Sequence, residues 1–202
     1  IGNLIGDVFG GTFGPGSVGG SAGNFFFGLL GYKLWGNIRP LSAGSEPDFR
    51  ENVGRQVAEY AVIALAASAA CAAIIAWVVD LLGLVPFAVL GPLILTNNGI
   101  AAVVLGPPLL YLTYPRVKAL GLLYSDVLRD DDLSTGRPGL QATMAWILVL
   151  VPLTWVGLGT LLSTGAGPAL TSVTALGAVG MVVVLLATAL GGERLSKILT
   201  QA

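Results

Sequence analysis

The sequence predicts an all-α integral membrane protein, and composition is the first observation that supports this. Hydrophobic residues make up 54% of the 202 residues and charged residues only 10%, and the mean hydropathy is +0.83. Soluble globular domains carry far more charge. The second observation is that long apolar runs recur along the chain, each with about the length that a helix needs to cross a bilayer.

About five membrane-spanning helices are therefore predicted. They lie roughly at residues 17–35, 57–79, 86–114, 140–162 and 168–190, and they follow the end of a truncated helix at 1–9. We expect the native N-terminus to be missing, because the chain begins with Ile and enters apolar sequence at once. The polar stretch 126–139 is predicted to be a cytoplasmic linker between a membrane core, 1–125, and a C-terminal hairpin with a short tail, 140–202.

The opening segment, 1–31, combines eleven glycines with polar residues. Asn3 and Asp7 are four residues apart and so lie on one helix face. The next helix is predicted to have a small polar face opposite a bulky one that carries Phe26 and Leu30; the polar face consists of Ser17, Ser21, Asn24, Gly28 and Gly31. Such a face suits either close helix packing, with Asn24 bonding to a neighbouring helix, or the lining of a cavity.

The second full span, 57–79, is rich in alanine. Small residues recur at four-residue spacing in the pairs Ala66/Ala70 and Ala72/Ala76, a pattern that favours close helix packing within the chain or against a partner subunit. In the preceding loop, 36–56, Asn52 is expected to cap the helix. Glu59 lies four residues after Arg55, so an interfacial ion pair is expected there.

The third span, 86–114, is too long for a straight crossing, at about 43 Å. Pro92 and the pair Pro107 and Pro108 offer places to bend it. Asn97 and Asn98 fall near the bilayer midplane, where a local irregularity and at least one amide facing protein or a cavity are expected. The alternative is that these amides only satisfy backbone groups freed by the Pro92 kink.

The distribution of positive charge predicts the topology. The ten basic residues are Lys33, Arg39, Arg50, Arg55, Arg116, Lys118, Arg129, Arg137, Arg194 and Lys197. All of them fall on one side if the chain crosses five times, and the positive-inside rule makes that side cytoplasmic. Residues 1–16, 80–85 and 163–167 are then outside, although their shortness accounts for part of the asymmetry. We expect a multi-pass protein of a prokaryotic cell membrane with a cytoplasmic C-terminus.

The residue types and motifs that the sequence lacks argue against several classes of function. The chain contains no histidine, its one cysteine, Cys71, lies in an apolar run, and no metal-ligand set or phosphate-binding glycine motif occurs. Asp7 and Glu59 are predicted near opposite membrane faces, which leaves no acid/base pair. We therefore predict no enzyme activity, no metal and no cofactor, and the scattered basic residues predict no nucleic-acid partner.

Two strings in the sequence carry a family resemblance. The first runs Gly2-Asn3-Leu4-Ile5-Gly6-Asp7, then Ser21-Ala22-Gly23-Asn24-Phe25-Phe26-Phe27-Gly28, and the second is Leu95-Thr96-Asn97-Asn98 with Leu105-Gly106-Pro107-Pro108 and Pro115-Arg116-Val117-Lys118. They resemble the substrate-binding membrane subunits (S-components) of energy-coupling factor (ECF) vitamin and micronutrient importers. The resemblance covers about 1–125. The first helices of that family are missing here, and the hairpin at 140–190 exceeds its six-helix pattern.

The resemblance implies a binding protein that captures a small vitamin-like molecule from the outside. It further implies a transmembrane coupling protein and two cytoplasmic ATPases as partners. The predicted substrate-binding residues are Asn3, Asp7, Phe13, Ser21, Asn24, Asn97 and Asn98, with Phe9 and Phe25 as further apolar contacts. Two alternatives stay open: a structural or assembly protein whose small residues serve only helix packing, and another type of polytopic transporter.

Overall fold

The computed structural model describes residues 2–42, 46–127, 138–165 and 171–191. Regular secondary structure in these residues is helical throughout. The helices are α1 (Gly2–Phe9), α2 (Gly16–Leu34), α3 (Val53–Leu81), α4 (Phe87–Ala119), the short α5 (Tyr124–Val127), α6 (Pro138–Ser163) and α7 (Thr171–Leu190). The predicted linker at 126–139 lies largely outside the described residues, as do residues 166 and 167 of the predicted turn and the tail after 191.

Four helices are long and apolar enough to cross a membrane. These spans are Val53–Leu81, Phe87–Ala119, Gly139–Ser163 and Ser172–Leu190. They make the chain consistent with a helical membrane protein. The fifth predicted span coincides with α2. This helix is long enough at 19 residues, but its glycines, Asn24 and Lys33 make it less apolar than the other four. That α2 crosses the membrane stays a prediction.

Helix α3 forms the centre of the bundle. It packs against α2, α4, α6 and α7. The four alanines of the small-residue pairs, Ala66, Ala70, Ala72 and Ala76, are at most 1% exposed. Their small side chains therefore serve packing inside this chain, because neighbouring helices cover α3 on several sides.

The buried side of α2 differs from the predicted packing face. Gly19 and Gly23 lie against Val78 and Ile75 of α3, and a buried stripe continues through Phe26 and Leu30, which are 5% and 0% exposed. Gly28 of the small polar face is exposed, and a Cβ there would meet nothing within 4 Å. Only part of the small polar face packs, because Gly19 and Gly23 bring the backbones closer on the adjoining side.

Helix α4 runs without interruption through Asn97 and Asn98, so the predicted irregularity there was wrong. The helix contains four prolines and still continues for 33 residues, about 50 Å. Thr96 Oγ1 donates to the Pro92 carbonyl oxygen at 2.8 Å, and Thr113 Oγ1 bonds the Leu109 oxygen in the same way. Both hydroxyls thus bond the carbonyl oxygen four residues earlier, so their polar groups are satisfied within the helix itself.

The first turn of α4 is held by side chains from two other helices. The Phe87 N–H donates to Asp80 Oδ1 of α3 at 3.0 Å. The Ala88 N–H donates to Ser163 Oγ of α6 at 3.3 Å. Two of the N–H groups that a helix start leaves without intrahelical partners are therefore satisfied. We call the part of the molecule that contains Asp7 and Asp80 the acidic end.

Helices α6 and α7 join the bundle through aromatic rings seated on glycines. Trp77 of α3 lies on Gly177 of α7, and Phe87 of α4 lies on Gly159 of α6. Trp155 of α6 lies on Gly180 of α7 and packs edge-on against Trp77, with ring centroids 6.0 Å apart. The C-terminal pair thus shares the core of α3 and α4, while its separation as a domain stays a prediction.

The opposite end, which contains Lys33, Arg39, Arg50, Arg55, Arg116 and Lys118, is called the basic end. Its loop is tied down by two buried side chains of α3. Glu59 accepts a hydrogen bond from the Gly36 N–H at 2.8 Å, and Gln56 Oε1 accepts one from the Phe49 N–H at 2.6 Å; both residues are 0% exposed. Arg55 donates to the carbonyl oxygens of Pro40 and Leu41.

One expectation for this end changes. Asn52 occupies the position before α3, but it has a left-handed backbone and makes no side-chain capping bond. Glu59 is buried because the loop folds back over it, and its expected ion pair with Arg55 stays a prediction. The loop also reaches α6, since Trp146 Nε1 donates to the Arg39 carbonyl oxygen at 2.8 Å.

Candidate functional site

Helix α1 folds back along α2 at the acidic end. A turn through residues 10–15 reverses the chain, and the Thr12 N–H donates to the Asp7 carbonyl oxygen at 2.9 Å. The reversal brings Asn3, at the start of α1, beside Gly20 and Asn24 of α2. Residues 21 positions apart in the chain therefore share one polar site.

Three of the predicted site residues form a continuous hydrogen-bonded chain. Asn24 Nδ2 donates to Asn3 Oδ1 at 2.8 Å, and Asn3 Nδ2 donates to Asp7 Oδ2 at 3.0 Å. We call Asn3, Asp7 and Asn24 the amide cluster. Asn24 is exposed, and the other two are half-buried, so the cluster is open on the Asn24 side.

A backbone carbonyl fixes the orientation of every amide in the cluster. Asn24 Nδ2 also donates to the Gly20 oxygen at 2.8 Å, and a carbonyl oxygen can only accept. The nitrogen of Asn24 must therefore face Gly20 and Asn3. It follows that Asn3 presents its oxygen to Asn24 and its nitrogen to the carboxylate of Asp7.

Gly20 provides the space in which Asn3 lies. A Cβ at position 20 would be 2.6 Å from Asn3 Nδ2, closer than real side chains come. Gly20 is the residue that the sequence analysis missed. The signal was its position four residues before Asn24, which puts both on one helix face.

Two further predicted residues lie close to the cluster in the chain. Phe13, in the turn between α1 and α2, is 64% exposed. Ser21 follows Gly20, and its hydroxyl is buried without a hydrogen-bond partner among the described residues. Ser17, one turn earlier, accepts a bond from the Gly14 N–H at 3.2 Å, so it holds the turn.

The asparagine pair of α4 lies elsewhere. Asn98 Nδ2 contacts Cys71 Sγ of α3 at 3.6 Å, and Asn97 is exposed. On the α2 side of α3, a Cβ at Gly23 would lie 2.9 Å from the Cys71 carbonyl oxygen. Asn24 and Asn98 are thus at a similar depth but lie along different sides of α3. The structure therefore does not bring the predicted site residues Asn24 and Asn98 together, because α3 packs against both α2 and α4 and lies between these two residues.

An open cavity of about 440 Å³ lies at the basic end, far from the amide cluster. It is lined by Phe49, Val53, Val57, Pro107, Pro108, Tyr111 and Leu112. The walls are apolar, whereas ligand sites of soluble small molecules add a few convergent polar groups. None of the predicted site residues lines it, and the amide cluster is the better candidate for selective binding.

Asp80 is a second residue that sequence reasoning did not single out. Its bond to the Phe87 N–H links positions seven apart across a turn, which hydropathy and spacing do not reveal.

In the described residues, no group of three or more His, Cys, Asp or Glu side chains could hold a metal ion.

Comparisons of this chain with protein-family models, with curated proteins and with solved structures find no match. A functional assignment therefore depends on the site geometry and on the strings quoted from the sequence. Among the described polar groups, the amide cluster joins the most predicted residues by direct hydrogen bonds.

Proposed function

We propose that the protein is the membrane-embedded substrate-capture subunit of an ECF-type importer. The amide cluster is the observation that carries this proposal, because it gathers two carboxamides and a carboxylate at one end of an apolar bundle. Polar groups kept within a membrane protein usually face a partner or a ligand pathway. The protein binds its ligand and carries out no catalysis of its own.

Capture follows from the hydrogen-bonding capacity of the cluster. Bonds within the cluster hold its three side chains in fixed orientations before a ligand arrives, which lowers the entropy cost of binding. Each new hydrogen bond to the ligand contributes about 0.5–1.5 kcal/mol, and bonds to a charged group contribute more. The exposed rings of Phe13 and Phe25 are 64% and 63% accessible and offer apolar contact.

Access from outside is part of the same proposal. Under the positive-inside rule the basic end faces the cytoplasm, so the acidic end and its amide cluster face outward. A transmembrane coupling protein and two cytoplasmic ATPases would act with this subunit, as the family resemblance implies. The ligand would be a small vitamin-like molecule.

Mass spectrometry of small molecules that copurify with the membrane-extracted protein tests the proposal. We expect wild type to retain a ligand and Asn24→Ala to lose it. Asn37→Ala is the matched control, because Asn37 lies at the basic end in the turn after α2, where its side chain donates to the Lys33 carbonyl oxygen. Equal retention by wild type and Asn24→Ala would remove the amide cluster as the site, and Asn98→Ala then asks whether the α4 pair binds instead.

A second candidate function, a structural or assembly role, is favoured by one observation. Gly19 and Gly23 and the buried alanines of α3 are all used for close helix packing. In that case the Asn24 to Asn3 bond only fastens α1 to α2. The structural role predicts that no small molecule is retained. It also predicts that Asn24→Ala lowers the free energy of unfolding by about 0.5–1.5 kcal/mol, because one hydrogen bond is lost.

A further inference from the structure

The open atoms of the amide cluster are mainly hydrogen-bond acceptors. Both N–H groups of Asn24 are used, one on the Gly20 oxygen and one on Asn3 Oδ1, and Asn24 Oδ1 has no partner among the described residues. One carboxylate oxygen of Asp7 accepts from Asn3, and the other is likewise open. A single N–H of Asn3 is the only donor left in this cluster.

The charge around the cluster has one sign. The described residues of this end, 2–24, 74–98, 155–165 and 171–177, include Asp7 and Asp80 and no lysine or arginine. Such an arrangement attracts a cation and repels an anion. Hydrogen-bonding capacity and charge therefore favour the same ligand chemistry.

The cluster suits an organic cation better than a metal ion. Calcium takes six to eight oxygen ligands, whereas the cluster offers one carboxylate and the amide oxygens of two asparagines, one of them already bonded. Phe25 follows Asn24 directly and its ring is 63% exposed. Exposed aromatic faces attract organic ammonium groups.

We infer that the amide cluster binds a ligand that carries an ammonium or comparable N–H-donating cation on an apolar body. This inference rests on the proposed capture function and names its substrate class. The cationic N–H groups donate to the open oxygens of Asp7 and Asn24.

Three probes that share a ring test the charge preference: benzylammonium, benzyl alcohol and benzoate. Binding to the full chain in lipid nanodiscs is measured by calorimetry or ligand-observed NMR. We expect benzylammonium to bind about tenfold tighter than benzyl alcohol, since a charge-assisted bond is about twice as strong as a neutral one. Benzoate should bind more weakly still, because the carboxylate of Asp7 repels an anion. Asp7→Asn removes this preference. Asp80→Asn, which changes the other carboxylate of the acidic end, keeps it.

Three results would overturn the inference: benzoate binding as tightly as benzylammonium, no binding of any probe, or an unchanged preference in Asp7→Asn. Displacement of benzylammonium by millimolar calcium chloride, with calcium bound, would also overturn it in favour of a metal site. The outcome is separable from the capture function. A copurifying anion that Asn24→Ala releases would leave capture intact and reject this substrate class. Benzylammonium binding with no ligand retained on purification would support the preference for a cation and count against the capture function.

Discussion

Gly20 and Gly23 of α2 are three residues apart, yet they serve different neighbours. A Cβ at Gly20 would meet the movable amide of Asn3. A Cβ at Gly23 would lie 2.6 Å from Ile75 Cγ1 and 2.9 Å from the Cys71 carbonyl oxygen, which belongs to the rigid backbone of α3. Glycine at position 20 thus leaves room for the side chain of Asn3, and glycine at position 23 lets the backbone of α3 approach α2 closely.

Gly23→Ala should therefore destabilise the protein, because α2 and α3 must move apart to relieve the overlap. We expect a loss of about 1–3 kcal/mol, typical of overpacking. Gly28→Ala is the matched control, since a Cβ there meets nothing within 4 Å; it should stabilise the protein by about 0.4–1 kcal/mol, because alanine favours the helix more than glycine does. Thermal unfolding in detergent measures both, and equal midpoints for the two variants would contradict the described α2–α3 contact.

At the scale of elements, α4 shows how a long helix starts without a capping residue of its own. Pro86 precedes it and makes no side-chain capping bond. Asp80 and Ser163 supply acceptors from α3 and α6 instead. The position of α4 in the bundle is therefore coupled to the ends of two other helices.

Asp80→Ala should destabilise the start of α4, because the Phe87 N–H loses its acceptor and a negative charge leaves the helix N-terminus. The expected cost is about 0.5–2 kcal/mol, as for other capping residues. Asp80→Asn keeps an acceptor oxygen and should retain most of the stability. Thermal unfolding of the two variants provides the comparison; an Asn variant as unstable as the Ala variant would show that the charge, and not the bond, matters.

The sequence predicted the existence of the elements better than their contacts. Apolar run length located α3, α4, α6 and α7, since hydropathy over a span depends on composition. It failed to predict which face of α2 is buried, because spacing defines a shared face and not the neighbour it meets. The pairing of Asn3 with Asp7 followed from helix periodicity, while the bond to Asn24 depends on a chain reversal that periodicity does not encode.

At the scale of the whole molecule, the described basic residues all lie at one end of the bundle. The described basic residues gather with the loop that Gln56 and Glu59 hold in place. The described acidic residues of the other end are Asp7 and Asp80. Between them, α3 is surrounded by helices and carries the closest packing. This distribution gives the predicted topology a direct test.

Single cysteines introduced at the two ends report the orientation of the chain in the membrane. Native Cys71, which is 0% exposed, is replaced by alanine so that only the introduced cysteine can react. Leu84 lies in the turn between α3 and α4 at the acidic end and is 60% exposed, so Leu84→Cys should react with a membrane-impermeant maleimide on intact cells. Glu51→Cys, exposed at the basic end, should react only after permeabilisation. Both outcomes follow from the positive-inside rule, which places the basic end in the cytoplasm. The reverse pattern would place the amide cluster on the cytoplasmic side.

The central claim is that the amide cluster binds a small molecule, and a thermal-shift experiment tests it most directly. The low-molecular-weight fraction of a cell extract is added to wild type, Asn24→Ala and Asn37→Ala. A ligand that binds only the folded state raises the unfolding midpoint. The account predicts a rise for wild type and Asn37→Ala and none for Asn24→Ala. An equal rise in all three, or none in wild type, would contradict it.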